Sequence, residues 1–234
     1  MSGAPRGRAR PGPGAAGTLW AVNRELLILP GAPLLAPELA GADPAAARVR
    51  AAVRAGIGDL LAADPRRPVI LRLAEEHQAT GRIGSLAAWG AEVDLGAGRH
   101  LPELIARRML ALAGADPAAA AATDRPDAAW AHPGPALVVA EGPAALTPRA
   151  PLTELPGAAR LDAACAGVAA GEPGAAAELA ALDPAEARRV GLHTAPVWSA
   201  LAALAAGPAA EATRRVLLAE AGLGVGYHVA RWSW

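Results

Sequence analysis

The sequence contains no lysine and no phenylalanine, one tyrosine (Tyr227) and one cysteine (Cys165). A single cysteine excludes an intrachain disulfide and a thiolate metal cluster. Without Phe, the core has to be assembled from Leu, Val, Ala and the six Trp. Small side chains let helices approach closely, but each buries little apolar area. All 22 basic residues are Arg, which, with abundant Ala, Gly and Pro, is the composition expected from a GC-rich genome such as an actinobacterial one. An individual Arg is therefore no sign of selection for bidentate binding over Lys.

Neither sign of charge is in excess: 22 basic and 22 acidic residues balance to zero. The field that draws a whole domain to nucleic acid is missing. No apolar run reaches membrane-spanning length, because Arg, Glu, Asp, Pro or Gly interrupts each one. Arg6, Arg8 and Arg10 precede Pro11-Gly12-Pro13-Gly14, where a signal peptide needs an apolar stretch. The expectation is a cytoplasmic protein with neither nucleic-acid nor membrane partners. Residues 1–17 hold nothing to bury and read as a disordered arm. Residues 18–234 read as one domain, since no long polar linker divides them.

What is present alternates strands and helices. Leu26-Leu27-Ile28-Leu29 is an apolar run ending abruptly in Pro30-Gly31-Ala32-Pro33. That pattern is a buried strand delivering a rigid loop to a sheet edge. Further strands are expected over residues 69–73, 91–95, 136–140 and 225–232, and residues 215–219 read equally as helix or strand. Asp43-Pro44 starts a helix running to about Ala63, with Val49, Val53, Ile57, Leu60 and Leu61 on one stripe. Other helices are expected over residues 101–113, from Asp116-Pro117 (short and Ala-rich), over 158–170, from Asp183-Pro184 and over 196–206. Residues 123–135 read as a Pro-punctuated loop. The class is α/β, a three-layer sandwich with a mostly parallel or mixed central sheet and helices on both faces.

Candidate chemistry gathers where strands end. Gly31, Ala32, Glu75 and Gly142 mark the loops of an expected pocket, and Glu76, His77, Glu141 and His193 are its candidate catalytic groups. The turn Glu75-Glu76-His77 offers a general base or a metal ligand, or else is a solvated loop. Glu141 directly follows an apolar strand; burial there raises a carboxyl pKa, whereas backbone N–H donors would hold it as a carboxylate. His193 either points into the pocket or caps the following helix. Tyr227 and His228 fall on opposite faces of the last strand. His100 and His132 read as surface loop residues, and Cys165 as a small packed side chain. Ser85 lacks the nucleophile-elbow pattern, and Gly222-Leu223-Gly224-Val225-Gly226 has no helix after it and is no dinucleotide fingerprint.

Several segments resemble, in order, those of actinobacterial LigB-like proteins, the class III extradiol ring-cleavage dioxygenase family. They are the loop at Pro30-Gly31-Ala32, Ile83-Gly84-Ser85-Leu86-Ala87-Ala88-Trp89-Gly90, Leu137-Val138-Val139-Ala140-Glu141-Gly142, Ala195-Pro196-Val197-Trp198 and Gly224-Val225-Gly226-Tyr227. The resemblance implies the LigB-like sandwich over residues 18–234. Active members hold Fe(II) with two His and a carboxylate and use a further His as acid/base. Here the first ligand position falls at Gly31 or Ala32, the second near Leu73 or Ala74 with His77 slightly downstream, and the acid/base position near Ala145 or Leu146. The implied protein binds or transforms a small aromatic or acidic metabolite without the standard iron site. A retained divalent metal (Fe, Zn or Mn) would need His77 with carboxylates, and His193 as a second nitrogen. The alternative is a non-catalytic scaffold or regulatory partner on a degenerate enzyme fold, working as a homo-oligomer or with another protein.

Overall fold

A computed structural model describes residues 24–73 and 75–234; the arm expected over residues 1–17 lies outside them. Six strands form one sheet: β1 (Glu25–Leu29), β2 (Val69–Leu71), β3 (Ala121–Thr123), β4 (Ala136–Val139), β5 (Thr213–Glu220) and β6 (Tyr227–Ser233), in the order β3-β2-β4-β1-β6-β5. β3, β2, β4 and β1 run parallel, and β6 is antiparallel to both β1 and β5. β1, β2 and β4 therefore end at the same sheet edge, and β6 begins there.

The eight helices are α1 (Pro37–Ala40), α2 (Pro44–Ala63), α3 (Leu101–Leu112), α4 (Pro126–Ala131), α5 (Ala158–Ala170), α6 (Ala175–Ala180), α7 (Pro184–Arg189) and α8 (Ala195–Ala206) among the described residues. They cover both faces of the sheet. Leu27, Leu29, Ile70, Leu137, Val139 and Val229 face α2 and α3; Leu26, Ile28, Val69, Leu71, Val138 and Trp232 face α5 and α8. Both faces of the parallel inner strands β1, β2 and β4 are buried, which is why Leu26–Leu29, Val69–Leu71 and Ala136–Val139 are continuous apolar runs rather than alternating ones.

α2 shows how the sequence builds this. Asp43 accepts the Ala46 N–H at 2.8 Å, Pro44 occupies the first turn, and Val49, Val53, Ile57 and Leu60 are buried against the sheet. At Gly56 a Cβ would lie 2.7 Å from Leu27 Cδ1, so the absent side chain sets how closely the helix approaches β1.

Three expectations need correction. Residues 91–95 are not a strand; they make only an isolated bridge, Ser85 to Asp94. Left-handed backbone at Gly84, Gly90 and Gly96 curls the chain into a loop whose Ala91 and Leu95 plug the α3-side core. Their alternation reflects a half-buried loop. Asp116-Pro117 starts only a single 3-10 turn, and the following Ala121–Thr123 is the edge strand β3, held by its register on β2. The supposed loop 123–135 contains α4. The ambiguous segment near Arg215 is strand β5, with an irregularity between Val216 and Leu218.

Candidate functional site

The loops after β1, β2 and β4 meet the start of α8 at the sheet edge. They enclose a cleft of about 130 Å³, whose walls include Gly31, Ala32, Leu73, Glu75, Gln78, Leu101, Pro102, Val139, Glu141, His193 and Thr194. A shallower hollow of about 340 Å³ adjoins it, sharing Glu75 and His193 and adding Arg188, Leu192, Pro196 and Ser199. Of the residues expected at the site, Gly31, Ala32, Glu75, Glu141 and His193 stand together here.

Glu141 is the chemical centre of the cleft. Its Oε1 accepts the Gly31 N–H at 2.8 Å, and no cation is hydrogen-bonded or ion-paired to it among the described residues. Part of the residue's surface is open to the cleft, but the protein around the carboxyl excludes enough water to dominate. Burial pushes its pKa up to about 7, against the smaller downward pull of the Gly31 N–H. Both readings of Glu141 thus describe one geometry: it accepts a backbone N–H and is also poised to titrate. Burial of the Tyr227 phenol, and secondarily the Glu141 charge, holds it well above its usual range.

The backbone of Glu141 is fixed by α8. Its N–H donates to Thr194 Oγ1 at 3.0 Å, and that hydroxyl donates back to the Glu141 carbonyl at 2.7 Å. Trp198 Nε1 donates to the same carbonyl at 2.7 Å. Neither Thr194 nor Trp198 stood out as a site residue in the sequence. Trp198 belongs to one of the resembling segments and Thr194 directly precedes it, but the contact with Glu141 spans more than fifty positions in the chain. Behind them, Trp198 and His228 pack T-shaped with ring centroids 5.7 Å apart, and His228 Nε2 lies 2.9 Å from Asp162 Oδ1. Tyr227 and His228 lie on opposite faces, and both are buried because β6 is an inner strand.

Three sequence-expected site residues lie elsewhere. Glu76 and His77 point away from the cleft, with side chains 89% and 72% exposed. The 3-10 turn Glu76–Gln78 turns Glu75 and Gln78 inward and leaves the two residues between them outside. His77 Nε2 sits 3.5 Å from Glu75 Oε2 and Glu76 3.7 Å from Arg99. Gly142 is packed: a Cβ there would lie 2.5 Å from Asp162 Oδ1 and 2.9 Å from Gly226 Cα. His193 lines the cleft rather than capping α8, whose N-cap is Thr194 with no side-chain cap bond. His100 is buried, not a surface residue. Cys165 is buried, and burial raises its thiol pKa well above the ordinary value.

The donor set does not fit the iron centre of the active extradiol family. A side chain at Gly31 would force its neighbours aside, because a Cβ would lie 2.6 Å from Val139 Cγ1 and 2.8 Å from Pro102 Cβ. Ala145 and Leu146 pack into the core on the α5–α8 side. Among the described residues, no three His, Cys, Asp or Glu side chains stand close enough together to hold a metal ion. The contact at Gly31 also gives a stability expectation. Gly31→Ala overpacks this junction and should destabilise the domain by about 1–3 kcal/mol, read as a lower urea midpoint. A variant as stable as the parent would show that the junction is loose. No protein-family model matches the chain, and no curated protein matches it.

Proposed function

We propose that this chain is a divergent LigB-like protein that binds a small aromatic or acidic metabolite in the sheet-edge cleft. In this reading Glu141 exchanges a proton with the ligand near neutral pH, and the chemistry does not use the iron site of the active family. The observation that carries the reading is the Glu141 carboxyl, shielded from water, facing the cleft and anchored by Gly31, with a pKa pushed up to about 7. A carboxyl with that pKa is populated as both acid and base at neutral pH, the condition under which general acid–base catalysis is most effective. Leu73, Leu101 and Val139 supply apolar walls for a flat organic body, while Gln78, Thr194 and His193 offer polar contacts at its rim.

The test is a panel of small aromatic and acidic compounds screened by ligand-observed NMR, with hits titrated calorimetrically across neutral pH. Binding should change with pH in the parent protein and lose that dependence in Glu141→Gln. Equal pH profiles in the two proteins would remove Glu141 from the site. A second arm supplies the protein with Fe(II) without oxygen, then adds protocatechuate and air. No ring opening is expected; ring opening that disappears in His77→Ala would overturn the reading of a lost iron centre.

A further inference from the structure

The cleft around Glu141 and the hollow beside it share the Glu75 and His193 side of their walls. The cleft alone, about 130 Å³, is smaller than ordinary small-molecule sites, which begin at roughly 300 Å³. The hollow, about 340 Å³, supplies the missing room. Leu182, Ala187, Leu192 and Pro196 give it an apolar wall, and Arg188 and Ser199 are the polar groups it adds to the shared pair. A ligand large enough to be held firmly would therefore occupy both spaces, with only one end in the cleft.

The two spaces differ in charge. Glu75 and Glu141 stand on the cleft wall, and no Arg lines it among the described residues. An anion drawn into the cleft would meet two carboxyl groups and no guanidinium. The cation is in the hollow. Arg188 stands in the last turn of α7 beside Arg189. Arg189 lies 4.0 Å from Glu186, a carboxylate that also accepts from Arg160 at 2.7 Å. Arg188 forms no ion pair among the described residues, so its guanidinium is left for a ligand. The buried Ala187 and Leu192 fix the chain on either side of it. Its position carries the weight here, not its residue type, since every basic residue of the chain is Arg. In the cleft, Glu141 Oε1 already takes the Gly31 N–H, which leaves Oε2 to accept from a ligand.

We infer that the cleft and the hollow are one site, for an organic carboxylate that carries a hydrogen-bond donor at its other end. The carboxylate lies in the hollow on the Arg188 guanidinium, with the Ser199 hydroxyl as a second donor. The body crosses the shared boundary at Glu75 and His193, and its amine or hydroxyl enters the cleft to donate to Glu141. The joined site rests on the cleft function proposed above and gives its ligand a direction, acid outward and donor inward.

Calorimetric titration of the full chain compares three probes: para-aminophenylacetate, its methyl ester and phenylacetate. The first has both groups, the second lacks the charge and the third lacks the donor. The first should bind about tenfold more tightly than its ester, the factor expected of one hydrogen-bonded charged contact, and several-fold more tightly than phenylacetate. Arg188→Gln should lower it to the affinity of the ester and leave the ester unchanged, whereas Arg188→Lys should keep most of the difference. Arg188 is exposed, so both variants should unfold at the parent midpoint. NMR should show contacts from the probe methylene to the Leu182 methyls and from its ring to those of Val139. Equal affinity for acid and ester, or an acid preference that survives Arg188→Gln, would overturn the inference. Ester binding whose pH dependence is lost in Glu141→Gln would then leave the cleft function standing alone. Equal affinity for para-aminophenylacetate and phenylacetate would also overturn it, because no donor would then reach Glu141. So would the absence of binding by all three at millimolar concentration, and the wider panel would then judge the cleft by itself.

Discussion

Trp198→Ala is expected to be the most damaging single substitution near the cleft, costing about 3–5 kcal/mol. Trp198 is fully buried, packs in the core between α8 and the sheet, and is among the largest side chains there. With no Phe anywhere in the chain and a core rich in Ala, neighbouring side chains are too small to collapse into the space it leaves. In a domain of this size that is a fall of roughly 10 °C in the unfolding midpoint. The loss has a second component. The Trp198 indole N–H holds the Glu141 carbonyl, and Thr194 alone keeps it in the variant. Trp198→Phe separates the two, because it retains most of the volume and removes the N–H. It should cost about 1–2 kcal/mol and loosen Glu141 without emptying the core. Calorimetry or urea unfolding of both variants reads the difference. If Trp198→Ala unfolded within a degree or two of the parent, the α8 face would not be the rigid wall on which the cleft depends.

The parts of this fold that are legible in the sequence are those whose local signals agree with their burial. The runs at Leu26–Leu29 and Ala136–Val139 are apolar on both sides because helices cover both faces. Asp43-Pro44 announces α2, and its apolar stripe faces the sheet. Three buried strands, each followed by a turn, define an edge, and that edge is where Gly31, Ala32, Glu75 and Glu141 meet. What was hidden depended on the orientation of single residues or on distant contacts. β3 is Ala-Ala-Thr, with helical propensity in two of its three residues, and is a strand only because β2 offers it a register. Whether Glu75 or Glu76 faces inward depends on one 3-10 turn, whose rotation the sequence does not display. Glu103 and Arg107, four residues apart on α3, look like an exposed helix pair. They are buried because the loop bearing Gly98 folds over them, with both side chains within contact of a Cβ built there.

Glu141→Gln should make the protein more stable in mildly alkaline solution and leave it unchanged in acid. The folded pKa of Glu141, about 7, lies above its ordinary value of 4.5. Between those values the folded state holds a proton that the unfolded state releases. Stability from this group is therefore fully present below the unfolded pKa and falls as pH rises through the folded one. The loss amounts to no more than about 3 kcal/mol, and it levels off above about pH 7, where both states are ionised. Gln keeps an oxygen for the Gly31 N–H but carries no charge to bury. The variant should match the parent near pH 4.5, and its advantage should grow to its plateau by about pH 8. Glu38, Asp64 and Glu220 behave oppositely: Arg108, Arg66 and Arg48 lower their pKa values, so their contributions are lost as acid protonates them. Those groups are common to both proteins and cancel in the difference between the two urea curves. A difference that stays flat with pH, or that favours the parent in alkali, would mean that Glu141 titrates like an exposed carboxylate. The cleft would then have no acid or base poised for neutral pH, and the proposed proton exchange would lose its physical basis.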